Sequence, residues 1–249
     1  MIFGPVGIRC PDCSGKQAGK PTLRKQKPSL TRITSSDIVT RSIVSLVVLV
    51  YIAQVAESGS ISGTGQLIVD GALYGPSVKA GEWWRLITSA FLHSGPIHLI
   101  FNALILWWFG RSLENLIGSR RFLGLYAISL LAGAAGALLF SPNSLTVGAS
   151  GAVFGVLGAG LVLERRGVMV FGGAALPIVA FNILLSFIIP RISIGGHLGG
   201  LLGGAIVILI LSHLGKKNPA QTRIGPLVIL GLAAVTVLAV LVSYLRVSI

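Results

Sequence analysis

The stretch TVGASGAVFGVLGAG, Thr146–Gly160, carries a serine where an uncharged loop passes into an apolar helix. Its glycines have the small-x-x-x-small spacing, as in Gly151 and Gly155, that lets helix backbones approach closely inside a membrane. Considered alone, the stretch therefore predicts only a tightly packed helix. Whether Ser150 also carries chemistry depends on which polar residues the rest of the chain brings to the same depth.

The composition indicates an integral membrane protein. The chain has 249 residues, of which 53% are hydrophobic and 11% charged, and its mean hydropathy is +0.86. A soluble domain carries about 25% charged residues, and the apolar runs here are long enough to cross a bilayer as helices. The fold class predicted is all-α, a polytopic membrane helical bundle. The net charge of +13 would suggest nucleic acid in a soluble protein, but no nucleic-acid partner is expected here.

Hydropathy predicts seven membrane spans with approximate bounds. They are 38–56, 97–111, 122–140, 150–163, 168–189, 195–214 and 224–245. The second and fourth spans are short, which predicts helix ends below the membrane surface, in protein-lined or wet surroundings. We therefore divide the chain into a six-helix core, 38–214, and a linker with a seventh helix, 215–249.

The basic residues predict the orientation. Sixteen of the 20 Lys and Arg residues precede or open the first span or lie in the loops after the second, fourth and sixth spans. Because cytoplasmic loops are enriched in Lys and Arg, the N-terminus is predicted inside the cell and the C-terminus outside. Residues 1–37 are expected to be a basic, disordered cytoplasmic segment near anionic membrane lipid. Cys10 and Cys13 supply only two of the four ligands of a structural zinc, so they are weak zinc candidates and no cofactor is expected.

Three polar side chains open predicted spans on the same outer side of the membrane. His98, Ser150 and His197 begin the second, fourth and sixth spans, and therefore lie at a similar depth. Asn102 follows His98 by four residues and projects from the same helix face. Ionisable groups within a membrane are functional candidates by default. Interhelical hydrogen bonding is the alternative for each residue taken singly.

These residues fit an acyl-transfer site. A serine hydroxyl becomes a nucleophile when a base takes its proton, and His197 is the candidate base for Ser150. None of the seven carboxylates lies within spans four or six near this pair, so a Ser–His dyad is the simplest arrangement. The backbone N–H groups of Ser150 and Gly151 lack helical partners and are candidate oxyanion donors. His98 and Asn102 can add side-chain donors.

Packing residues around the pair follow from the same spacing. Phe154 lies one turn after Ser150 and is positioned to stack on the His197 ring. Gly200 and Gly204 on the sixth span are predicted to let that span approach the fourth closely. Close approach is what would bring the base within reach of the serine.

Four sequence pieces, taken together, resemble the rhomboid family of intramembrane serine proteases. They are WWR at 83–85, HLIFN at 98–102, GASG at 148–151 and GHLGGLLGG at 196–204, in the family's order. The resemblance implies a rhomboid six-helix core, and the last apolar span resembles the added seventh helix of some rhomboids. One difference is Phe154, where bacterial relatives often carry tyrosine.

The resemblance also implies the roles. Ser150 would be the nucleophile and His197 the general base, with His98, Asn102 and the amides at Ser150 and Gly151 forming the oxyanion hole. The implied substrates are single-pass membrane proteins, cut in or near the membrane by an enzyme of a bacterial plasma membrane. No soluble partner can be inferred.

Two other functions compete with proteolysis. One is an inactive rhomboid-like protein that binds membrane clients, but such proteins typically lose the serine or the histidine, and both are present. The other is a transporter or channel in which His98, Asn102 and His197 line a polar pathway. That alternative does not explain the GASG helix start.

Overall fold

The computed structural model describes residues 2–4, 7–9, 37–63, 65–188, 192–217 and 224–247. Residues 1–34 and 35–249 form two separate compact units. In the first unit, strands β1 (Ile2–Gly4) and β2 (Gly7–Arg9) pair antiparallel. The sequence did not predict this hairpin, although glycine at both turn-side strand ends is typical of one. The rest of the predicted basic segment, including Cys10 and Cys13, lies outside the described residues.

The second unit is built from helices. In chain order they are α1 (Ile38–Ser58), α2 (Gln66–Gly71), α3 (Gly75–Lys79), α4 (Arg85–Thr88), α5 (Pro96–Ile105), α6 (Arg111–Ile117), α7 (Ser119–Phe140), α8 (Ser150–Arg165), α9 (Ala175–Ile188), α10 (Ile194–Lys217) and α11 (Ile224–Arg246). A π-helix, Leu106–Gly110, joins α5 to α6, so the second predicted span is one continuous helical segment. The prediction of a helical membrane bundle is confirmed.

Within the described residues, four helices are long and apolar enough to cross a membrane. They are α1, α7, α10 as far as His213, and α11 from Gly225, and α9 is a shorter apolar helix. Helix α8 has 16 residues, in keeping with the short fourth span that the sequence predicted. The chain is therefore a multi-pass membrane protein.

The fifth span begins later than predicted. The sequence predicted a span over 168–189, whereas α9 begins at Ala175. The Glu164 carboxylate explains the difference, because it accepts hydrogen bonds from the backbone N–H groups of Phe171, Gly173 and Ala175 at 2.8–3.0 Å. A regular helix also cannot run through Gly173, because the φ of this residue is 87°.

Helix α10 packs between α7 and α8, and glycines line its contact with α8. A methyl group added to Gly200 would overlap the carbonyl oxygen of Gly151, and one added to Gly204 would overlap that of Gly155. The helix backbones are thus in direct contact, as small-x-x-x-small spacing predicts. Helix α11 packs on α7 through another glycine, because a Cβ on Gly124 would lie 2.8 Å from the Val228 side chain.

Candidate active site

The loop that leads into α8 is held by the segment between α2 and α5. Leu73 and Thr146 exchange two backbone hydrogen bonds of 2.9 Å, and the N–H of Gly148 donates to the carbonyl of Ser89 at 2.9 Å. Gly148 has a φ of 121°, a conformation that side chains rarely allow. These bonds set the position at which α8 begins.

Arg85 anchors the holding segment itself. Its side chain is buried, donates to the carbonyls of Val69 and Ala72 at 2.7 and 2.9 Å, and pairs with Glu82. A guanidinium can satisfy several carbonyls at once because its donors diverge in one plane. Trp84, next to it, is exposed, as expected for a residue at a membrane interface.

Ser150 is the first residue of α8. The first helical N–H bond that reaches back to Ala149 comes from Val153, so the N–H groups of Ser150 and Gly151 precede the helical ladder. Such groups point out of a helix start and carry its positive dipole end. The geometry suits a group that develops negative charge near Ser150.

His197 lies on α10 against the same part of α8. Its ring stacks on Phe154, with centroids 4.0 Å apart and planes inclined by 16°. Phe154 lies one turn after Ser150, so the stack holds the imidazole beside the start of α8. The Nδ1 atom lies 2.7 Å from Oγ of Ser186 on α9. His197 is buried, at 8% exposed.

His98 lies beside the loop that leads into α8. Oγ of Ser94 lies 3.0 Å from its Nδ1, and a Cβ built on Gly148 would lie 2.7 Å from its Nε2. The Nε2 side of the ring therefore faces the loop that precedes Ser150. Asn102 donates one amide hydrogen to the carbonyl of His98 at 2.8 Å, which leaves its second amide hydrogen for another acceptor.

The ring of His93 packs against the ring of His98. The two rings meet edge to face at 5.1 Å, and the Gln54 side chain bonds both the N–H and the carbonyl of His93. Burial lowers the pKa of His93 to about 3, and the neighbouring His98 acts in the same direction. His93 is therefore neutral at physiological pH.

A small cavity opens at Ser150. Its lining includes Gly148, Ser150, Gly151, Ser193 and Gly196. The space in it that the centre of a water molecule can occupy is about 30 Å³. One water needs roughly 10–15 Å³ by the same measure. The start of α8 therefore adjoins space that can receive a reacting group or a water.

Each carboxylate that the structure describes has a partner other than His197. The pairs are Asp37 with Arg41 and Arg111, Glu57 with Gln66, Asp70 with Gln66, Glu82 with Arg85, Glu114 with Thr40 and Ser119, and Glu164 with the backbone at 171–175. The seventh carboxylate, Asp12, lies outside the described residues. In the part of the chain that the structure describes, no group of three or more His, Cys, Asp or Glu side chains could hold a metal ion.

The structure places the predicted site residues on α5, α8 and α10, with His197 against Phe154 and His98 against Gly148. Sequence reasoning missed Ser186. A serine in an apolar span most often bonds its own helix, which is why it attracted no assignment. The available signal was that Asn182 and Ser186 lie four residues apart within a strongly apolar span. The serine partner of His98, Ser94, was also not foreseen.

Comparison with known proteins identifies the family of the chain. The Rhomboid domain family matches residues 80–214, more than half of the chain, and the chain belongs to the rhomboid family. The matched region runs from Ala80, within the segment that holds the serine loop, to Leu214 near the end of α10. It contains all the predicted catalytic, oxyanion-hole and packing residues, whereas Cys10 and Cys13 lie outside it.

Several curated proteins are similar to the chain. It is 35% identical to the rhomboid protease GluP of Bacillus subtilis, over 76% of this chain and 36% of that protein. It is 40% identical to the putative rhomboid protease YdcA of Bacillus subtilis, over 54% of this chain and 70% of that protein. It is 31% identical to rhomboid-like protease 3 of Toxoplasma gondii, over 83% and 82% of the two chains. The match thus spans about a third of GluP.

Proposed function

We propose that the protein is a serine endopeptidase that cleaves single-pass membrane proteins within or near their membrane segment. The observation that carries the proposal is the His197 ring, stacked on Phe154 one turn from Ser150. Membership of the rhomboid family, with relatives named as proteases, supports the same activity. The partners of the described carboxylates favour a dyad over a triad.

In the proposed reaction Ser150 Oγ attacks the substrate's peptide carbonyl while Nε2 of His197 takes the hydroxyl proton. The resulting oxyanion is stabilised by the N–H groups of Ser150 and Gly151 and by His98 and Asn102. His197 then gives its proton to the leaving amine, the C–N bond breaks and an acyl-enzyme remains. A water, activated by the same histidine, attacks the acyl-enzyme and releases the second product.

The proposed topology follows from the charge distribution. The basic N-terminal segment lies in the cytoplasm, the Ser150 cavity opens toward the outer side and the C-terminus lies outside. We place the protein in a bacterial plasma membrane, surrounded by lipid, with the six-helix core at 38–214 and the seventh helix following it. Residues 1–37 would be a cytoplasmic tether.

Labelling with a fluorophosphonate in detergent or liposomes tests the nucleophile. We expect the parent to be labelled, Ser150→Ala to be unlabelled, and His197→Ala to lose most of its labelling, because an unactivated serine reacts slowly. Equal labelling of the parent and Ser150→Ala would overturn the proposal. Thermal melting of each variant shows whether it is folded.

Cleavage of a membrane-embedded model substrate distinguishes the competing functions. A client-binding protein would retain the substrate without cutting it, and a channel or transporter would do neither. We expect the parent to cleave and Ser150→Ala to bind without cleavage. Trapping with Ser150→Ala in native membranes would then identify the natural substrates.

A further inference from the structure

Ser186 is a buried hydroxyl on α9 that contacts the ring of His197. Its Oγ lies 2.7 Å from Nδ1, and the residue is only 4% exposed. Oγ also lies 2.8 Å from the carbonyl oxygen of Asn182, one turn earlier on the same helix. A serine hydroxyl thus bridges a helix carbonyl and the imidazole.

The two contacts together favour one tautomer of the His197 ring. A hydroxyl has one hydrogen to donate, and a carbonyl oxygen can only accept. Both contacts are hydrogen bonds at the same time only when the Ser186 hydrogen goes to the Asn182 carbonyl and the Ser186 oxygen accepts a hydrogen bond from Nδ1 of His197. Nδ1 is then protonated and Nε2 has a free lone pair.

We infer that Ser186 is a positioning residue that holds His197 in the tautomer needed for a general base. This inference rests on the proposed function, in which Nε2 takes the proton of Ser150. The role is the one that a carboxylate fills in a catalytic triad: to orient the ring and to accept from Nδ1–H when the ring becomes charged. A neutral hydroxyl does so without burying an anion among apolar helices.

Two uncharged residues, Phe154 and Ser186, together fix the orientation of the His197 ring. Phe154 restricts the tilt of the ring, while Ser186 restricts its rotation about the Cβ–Cγ bond. Stacking alone leaves two ring orientations that differ by a flip, and a directional hydrogen bond selects one of them. Helices α8 and α9 therefore hold the base from two directions.

Nitrogen-15 NMR of the histidines in the full-length protein in detergent micelles tests the tautomer directly. The His197 signals are assigned by their loss in His197→Gln. We expect the parent to show a protonated Nδ1 and an unprotonated Nε2, and Ser186→Ala to show a mixture of both tautomers. A parent with Nε2 protonated and Nδ1 bare would overturn the inference without any need for a Ser186 variant.

The rate of fluorophosphonate labelling tests the functional consequence. We expect Ser186→Ala to label about tenfold more slowly than the parent, the factor typical of losing one hydrogen bond to a ring that becomes charged. Ser186→Thr keeps a hydroxyl and should stay within about threefold of the parent. The matched control is Ser212→Ala, because Ser212 donates to its own helix at Ile208 and has no contact of this kind with His197.

The outcomes separate the two proposals. If the parent is not labelled at Ser150, the proposed function fails. If the parent is labelled but Ser186→Ala matches it in labelling rate and in the His197 signals, only the role of Ser186 fails. If Ser186→Ala and Ser212→Ala slow labelling equally, Ser186 is an ordinary helix residue and the inference is wrong.

Discussion

Helix α8 joins two regions that hold polar groups in opposite ways. At its first residue, the serine end, Ser150 lies near two imidazoles whose Nδ1 atoms contact the hydroxyls of Ser94 and Ser186. At its other end, the carboxylate end, Glu164 accepts three backbone hydrogen bonds. One helix thus has hydroxyl–imidazole contacts at its start and carboxylate–backbone hydrogen bonds at its end.

Two other carboxylates, Glu114 on α6 and Asp37 before α1, also bind donors from other parts of the chain. Glu114, 1% exposed, accepts from the N–H groups of Val39 and Thr40 at 3.0 and 2.8 Å and so caps α1 from a distant part of the chain. Although burial opposes the effect, hydrogen bonds and charges from Arg41 and Arg111 lower the pKa of Asp37 below its ordinary value. Both carboxylates thus have structural partners.

The contrast between the two ends of α8 shows where a charge can be buried in this protein. A carboxylate withdrawn from water is stable only when several donors surround it, as around Glu164. In the proposed reaction the donors at the serine end stabilise the substrate's oxyanion, so a permanent anion there would compete for them. Hydroxyl partners such as Ser94 and Ser186 avoid that conflict.

The largest effect is expected at the close contact between α8 and α10. Gly200→Val places a branched side chain against the carbonyl of Gly151, which forces α10 away from α8. We expect fluorophosphonate labelling to fall by about a hundredfold or more and the folded yield to drop. Gly225→Val is the control, since a Cβ at Gly225 meets nothing within 4 Å of the described structure. Normal melting and labelling of Gly200→Val would show that the helices do not meet as described.

A smaller effect, confined to stability, is expected at the carboxylate end. Glu164→Ala removes the acceptor of three N–H groups and should cost about 1–3 kcal/mol, lowering the melting temperature by several degrees. Labelling per folded molecule should stay within about threefold of the parent. Glu57→Ala, which loses a single exposed bond to Gln66, is the control. A tenfold loss of labelling at full folded yield would mean that the two ends are not separable.

The smallest effect is expected for two carboxylates that precede α5, Asp70 in α2 and Glu82 just before α4. Glu82→Gln and Asp70→Asn, made singly, should leave substrate cleavage within about threefold of the parent, because Glu82 pairs with Arg85 and Asp70 with Gln66. Cleavage is measured on the membrane-embedded model substrate at matched expression. A loss of about a thousandfold would reveal a carboxylate partner for His197 and replace the dyad with a triad.

Much of the fold could be predicted because its signals are local. Apolar runs set where helices form, and α1, α7, α10 and α11 lie where hydropathy predicted spans. The start of α9 could not be predicted in this way. Residues 168–174 are largely apolar, but the positive φ of Gly173 and the hydrogen bonds to the Glu164 carboxylate hold them in another conformation.

Local sequence patterns determined the membrane-spanning class of the protein and the helix starts that carry its polar residues. Hydropathy and helix rise depend only on neighbouring residues, so Ser150, His98 and His197 could be assigned to helix starts before any contact was known. Tertiary structure alone decided what each imidazole touches. The Ser186–His197 contact depends on the rotation and separation of α9 and α10, which packing sets and no local pattern encodes.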